Sequence, residues 1–137
     1  MADGSGPAQD LVEMMSFARW LGIRVDEARP ACVRGSVDWS ADRCTTGGVL
    51  HGGVLMGLAD TLGAICAFLN LPDGATTSTI ESKTNFFRAV RDGALHGVAS
   101  PVHVGRTTIV VQTELRDDTD RLAGLVVQTQ AVLGDRS

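Results

Sequence analysis

From Leu11 to Leu21 the order of apolar and polar residues, LVEMMSFARWL, has the three-to-four-residue spacing of a short amphipathic helix. Gly22 supplies its stop. The next segments, IRVDEA and ACVRGSVDW, alternate apolar with polar and predict two strands. SADRCTTGG breaks that pattern with Ser40, Asp42, Thr45, Thr46 and two glycines, and reads as a loop. Between Gly52 and Leu69 a single charge, Asp60, interrupts an apolar run. Its length approaches a bilayer span. A helix apolar all round is also what the centre of a folded domain requires, and strand patterns follow it, so it is assigned to a core and no membrane is expected. Asn70, Pro72 and Gly74 end it. Then TTSTIESKTNFFRAV, ALHGVASPVHV, GRTTIVVQTEL and LAGLVVQTQAVL read as four strands. Their short connections predict that consecutive strands are antiparallel neighbours. The pattern predicts an α+β domain over residues 11–137, a curved antiparallel sheet wrapped around one long central helix. Residues 1–10 are expected to be a disordered lead-in.

Composition narrows the function classes. The chain has 137 residues and a net charge of -4, which argues against a nucleic-acid partner. Eleven of its twelve basic residues are arginine, so a local cluster can still hold a phosphorylated ligand. Cys32, Cys44 and Cys66 are odd in number and form no CxxC pair, so no metal site and no disulfide framework is expected. Reduced thiols and the absence of an apolar leader predict a cytoplasmic protein.

The candidate chemistry lies in HGGVLMGLAD, residues 51–60. On a helix, Leu55, Leu58, Leu62, Ile65 and Leu69 form one bulky stripe. Around Asp60 lie Gly53, Met56, Gly57, Gly63, Ala64 and Ala67, all small except Met56, a face that permits close approach. Asp60 is either a structural acid paired with an arginine or a functional acid, since a carboxylate in apolar surroundings has a raised pKa. His51-Gly52-Gly53 opens the helix, where backbone amides lack internal partners and carry partial positive charge. A glycine there lets a ligand oxygen reach the N–H, the chemistry of an oxyanion hole. Gly52 and Asp60 stand about 12 Å apart on one helix. A base and an oxyanion donor acting on one carbonyl must both lie within about 3–4 Å of it. Two antiparallel copies meeting on their small-residue faces satisfy both, so a homodimer with two shared sites is expected.

Together with TNFFRAV and HVGRTT, the HGGVLMGLAD segment resembles the hotdog-fold acyl-CoA thioesterases, in particular the PaaI-like and 4-hydroxybenzoyl-CoA thioesterase group. The resemblance covers residues 11–133 and implies hydrolysis of an aryl- or short/medium-chain acyl-CoA. It implies that Asp60 is general base or nucleophile, that the Gly52 N–H polarises the thioester carbonyl, and that His51 shapes the turn. Thr79 falls near the attacking water. Phe86 and Arg88, with His103, Val104, Gly105, Arg106, Thr107 and Thr108, fall where relatives hold CoA. Arg106 is the first candidate for its phosphates, with Arg88 and Arg91 behind it. No separate cofactor is implied, since CoA is part of the substrate.

Two positions depart from the family pattern. Thr45 stands where many relatives have Asn or Gln, and Ala89 replaces a proline. Hydratases of the same fold carry an Asp–His pair on the helix, but Ala64 and Ile65 occupy the second position here. A non-catalytic acyl-CoA-binding protein is the alternative reading. A dimer is expected to pair further into a homotetramer, and the acyl group is not legible.

Overall fold

The structure, a computed structural model, describes residues 6–134. Period-two burial is clearest in β5 (Thr108–Arg116), where Ile109, Val111, Thr113 and Leu115 turn inward and their neighbours outward. The same alternation runs through β6 (Leu122–Gly134). These strands join β1 (Arg24–Arg29), β2 (Cys32–Asp38), β3 (Ala75–Phe86) and β4 (Ala94–Val104) in one antiparallel sheet of order β1-β2-β4-β5-β6-β3. A long helix, α3 (Gly52–Leu69), lies in its concave face, the hotdog arrangement. The helix is apolar and long enough to cross a bilayer, but most of it is buried within this fold. Leu58 and Leu62 are fully buried, and Leu55 and Ile65 nearly so, which places the expected stripe on the sheet. Leu62 sits where Gly35 and Gly97 pair across β2 and β4; a Cβ at Gly97 would come 2.6 Å from its side chain.

Three expectations change. Residues 1–5 of the lead-in lie outside the described residues, but its second half is ordered. Helix α1 (Pro7–Glu13) begins with Pro near its first position, where the missing N–H costs nothing, and buries Val12 completely. The Gln9 side chain accepts from the Val25 N–H at 2.9 Å and so occupies the free edge of β1. The single helix expected over 11–21 is two. The chain turns extended at Met15 before α2 (Ser16–Leu21), and Gly22 closes α2 in the left-handed conformation. The break lets Val12 and Leu21 bury from different directions.

The third change is topological. β3 pairs with β6 rather than with β4. Its connection to β4 crosses the mouth of the fold, where Val90 is buried and its carbonyl accepts from the Leu50 N–H at 2.9 Å. β3 is therefore the second edge of the sheet, and Ser78 to Lys83 are exposed along it.

Candidate functional site

Helix α3 starts where the backbone leaves an extended residue, His51, that caps it through its own ring. Nδ1 of His51 accepts from the Gly53 N–H at 2.7 Å, and the His51 carbonyl accepts from the Val54 N–H at 2.8 Å. Those bonds spend the next two amides. The Gly52 N–H has no acceptor among the described residues and sits at the positive end of an 18-residue helix. His51 is thus a capping residue, consistent with the turn-shaping role expected of it. The Phe86 ring packs over Gly52, and a Cβ there would meet it at 3.3 Å. Thr45, Gly52, Phe86 and Arg88 line one groove of about 380 Å³ with Leu55 and Val90. Thr45 is fixed through its N–H to the Val49 carbonyl at 2.8 Å.

Asp60 lies two turns along α3. Its side chain is exposed yet has no hydrogen bond or ion pair among the described residues, and partial burial alone pushes its pKa above the usual carboxylate value. The structural alternative, an acid paired with an arginine, has no partner here. The small-residue face around it is narrower than expected. Gly57 is covered by Phe17 and Leu21 of α2, at 3.3 and 3.1 Å from a would-be Cβ. Gly63 faces the fully buried amide of Gln128, whose Oε1 would lie 2.1 Å from a Cβ. That amide, and the hydroxyls of Thr84 and Thr113, are buried without a partner among the described residues. Gly53, Met56 and Asp60 remain exposed, with Ala64 half-buried beyond them.

The remaining candidates lie at the other end of the sheet. Thr79, on β3, accepts from Gln130 Nε2 at 2.7 Å, and the partner of that amide, Thr77, bonds its Oε1 at 3.1 Å. Gln130 is buried and went unnoticed in the sequence, because an alternating strand pattern does not show which inward position is polar and paired. His103 and Val104 end β4, and Gly105 to Thr108 form the turn into β5. That turn is closed by the Gly105 N–H to the Thr108 carbonyl at 2.8 Å and held to β6 by the Val132 N–H to the Thr107 carbonyl at 2.9 Å. The His103 ring folds over Gly105 and leaves no room for a Cβ. Arg106 sits exposed at the tip.

Thr108 is level with Ala131 and Ser78, whereas Phe86 ends the same strand eight residues on. At about 3.3 Å per residue the two ends are about 26 Å apart. One protomer therefore gathers Thr45, His51, Gly52, Phe86 and Arg88 but does not bring them to Thr79 or to residues 103–108. Of the arginines, Arg91 is bound to the Gly47 carbonyl at 3.0 Å. Arg88 instead shares a second opening with Phe87, Leu122 and Arg121, a cation absent from the sequence expectations because its turn is remote from every motif.

The sequence matches the family model for the thioesterase superfamily over residues 47–123. A protein of Vibrio cholerae provisionally named an esterase is 37% identical over 89 residues, covering 65% of this chain and 59% of its own length. The proofreading thioesterase EntH of Cronobacter sakazakii is 33% identical over 87 residues, 64% of each chain. The match thus spans less than two thirds of these relatives. The crystal structure of a thioesterase from Haemophilus influenzae superposes with a TM-score of 0.88 at 26% identity, covering 97% of this chain and 94% of that one.

Proposed function

The chain belongs to the thioesterase superfamily, and from that premise we propose that it hydrolyses the thioester of an apolar acyl-CoA, with Asp60 of one protomer and Gly52 of a second acting on one carbonyl. The observation that carries the reading is the pair of unused groups on α3: a carboxylate without a partner and a helix-terminal N–H without an acceptor among the described residues. The Gly52 N–H is suited to a developing oxyanion. The raised pKa of Asp60 makes its carboxylate a stronger base toward water, and direct attack of the same carboxylate on the carbonyl is the second route. Thr79 is the hydroxyl nearest this chemistry by resemblance. CoA is substrate rather than cofactor, with Arg88 and Arg106 offered to its phosphates from opposite ends of the sheet.

The separation of those ends supports a two-fold dimer. A long strand edge in a native protein is blunted or covered. β3 carries one bulge, at Ile80, and is otherwise open for twelve residues. Two copies paired antiparallel along β3 would bring the Gly52 end of one to the Thr79 end of the other, an isologous contact with two equal sites. This replaces a contact made by the helix faces alone, since Phe17 and Gln128 occupy part of that face.

The test is thiol release from phenylacetyl-, benzoyl-, butyryl- and decanoyl-CoA by wild type and Asp60→Asn. Turnover that the substitution abolishes supports the reading. Absence of turnover with tight binding of the esters would favour the binding-protein alternative. Mixing Asp60→Ala chains with Gly52→Pro chains, which lack the N–H, tests the shared site. No recovery of rate after confirmed chain exchange counts against it.

A further inference from the structure

The Gln128 side chain is fully buried, and both ends of its amide lack a partner among the described residues. The Thr84 hydroxyl, on β3, is buried in the same state. An unsatisfied amide in a core is costly, and an apolar residue of the same shape would avoid the cost. A glutamine here therefore calls for a function. Its amide is also pressed flat onto α3 at Gly63, an approach that a Cβ would forbid.

Helix α3 runs beside β3 over this stretch. Gly52 lies under Phe86, and Gly63 lies against Gln128, whose partner across the ladder is Ser82. The helix advances about 17 Å from 52 to 63. The strand advances about 13 Å from 86 to 82, so the two elements keep step. Asp60, one turn before Gly63, therefore stands level with residues 82–84. Thr84 pairs with Val126, the inward neighbour of Gln128 on β6. Thr113 pairs with Val126 from the other side, away from β3. No charge competes for Asp60. Glu81 and Lys83 turn to the outer face, where Glu81 accepts from Thr129 and Lys83 donates to Asn85. β6 carries no charged residue, and loss of solvent is what shifts the Asp60 pKa.

We propose that Gln128 is a positioning residue for Asp60: with Thr84 it holds one internal water in the seam between α3 and β3, and that water hydrogen-bonds to the Asp60 carboxylate. The inference rests on thioester hydrolysis at Asp60 and adds what orients the acid. Gln128 Nε2 donates to the water oxygen. One water proton goes to the Asp60 carboxylate and the other to the Thr84 hydroxyl oxygen. The spacing suits a single water. Positions 60 and 63 are neighbours on one helix face, about 5–6 Å apart, and two hydrogen bonds through one water span about the same distance. Such a water favours the charged form of Asp60 and so opposes the effect of burial. It is separate from the water consumed in hydrolysis, which must reach the thioester on the open face of α3.

The experiment compares the pH dependence of kcat and KM for the best of the four esters in wild type, Gln128→Met and Thr84→Val. Each substitution keeps the shape of the side chain and removes its hydrogen-bonding groups. Gln128→Met is expected to lower kcat about tenfold through misplacement of the acid, with KM within about twofold. Loss of a donor to the ionised carboxylate raises the Asp60 pKa, so the acidic limb of the profile should move up on the order of one pH unit. Thr84→Val should move it the same way by less, and the double variant should lose little beyond Gln128→Met alone. Thr84 lies on the edge strand, so its variant keeps the test alive if Gln128→Met fails to fold. An acidic limb that stays in place in the folded variants makes Gln128 purely structural and overturns the proposal. If wild type turns over no ester, thioester hydrolysis at Asp60 fails, and the link is read by carbon-13 NMR titration of the Asp60 carboxyl, assigned with Asp60→Asn. A higher Asp60 pKa in Gln128→Met supports the link. The same pKa in both proteins overturns it.

Discussion

Asp60 on α3 and Asp117 in the turn between β5 and β6 are the same residue in opposite circumstances. The Asp117 carboxylate accepts from the Thr119 N–H and hydroxyl at 2.9 and 2.7 Å, and from the Arg121 N–H and Nε at 3.0 and 3.2 Å. Those donors hold its pKa down to about 2, the Arg121 backbone N–H first among them. Asp60 has none, and loss of solvent moves its pKa the other way. The Asp117 side chain is only 12% exposed, whereas Asp60 is exposed. What decides is the number of donors aimed at the charged form. One acid builds a turn; the other has no partner among the described residues.

The largest expected effect is on rate. Asp60→Asn should cost on the order of 10²–10⁴-fold in kcat, the range for loss of a general base, whereas Asp117→Asn should keep turnover within a few-fold at saturating substrate. Comparable losses in both would erase the distinction. Next in size is packing on the flank of Asp60. Gly63→Ala drives a methyl into Gln128 and should cost about 1–3 kcal/mol by chemical denaturation, as overpacked cores do. Adding Gln128→Ala should recover part of that loss, so the two changes are not additive.

Two smaller effects follow from the pKa shifts, with opposite signs. The depressed pKa of Asp117 stabilises the fold fully above the unfolded value near 4 and loses that contribution as pH falls through about 2. Asp117→Asn should therefore lower Tm at pH 7, with the gap closing between about pH 4 and pH 2. The raised pKa of Asp60 means that the folded chain holds this proton more tightly than the unfolded one, so ionisation destabilises the fold as pH rises past about 4. Asp60→Asn should be slightly more stable than wild type at pH 7 and match it at low pH. A variant less stable at pH 7 would show that Asp60 has a partner after all.

The parts of the molecule legible in the sequence are those fixed by local chemistry. Helix α3 runs over Gly52–Leu69 as its pattern predicts, because a capping histidine and the Asn70–Pro72–Gly74 sequence mark its ends. β4 covers ALHGVASPVHV without a residue's difference. What the pattern did not contain is partnership. The β3–β6 pairing joins segments far apart in the chain, and connection length predicts neighbours only where the turn is tight. The break at Met15 lacks Gly or Pro, since it is imposed by where Val12 and Leu21 bury. Asp60 and Gly52 were legible because an acid in an apolar run and a glycine at a helix start each violate the local rule. Gln130, Arg121 and the covering of Gly57 and Gly63 obey it, and only their neighbours give them meaning.

The close fit of Gly63 against Gln128 also constrains the order in which this protein can change. With glutamine at 128, a side chain at 63 meets the amide head-on, so a first step at 63 carries the full cost of that clash. A first step at 128 to a shorter residue discards an amide without a partner among the described residues and makes room for the methyl that follows. The less costly order of change therefore passes through position 128 before position 63, and alanine at 63 is best accommodated beside a smaller residue at 128.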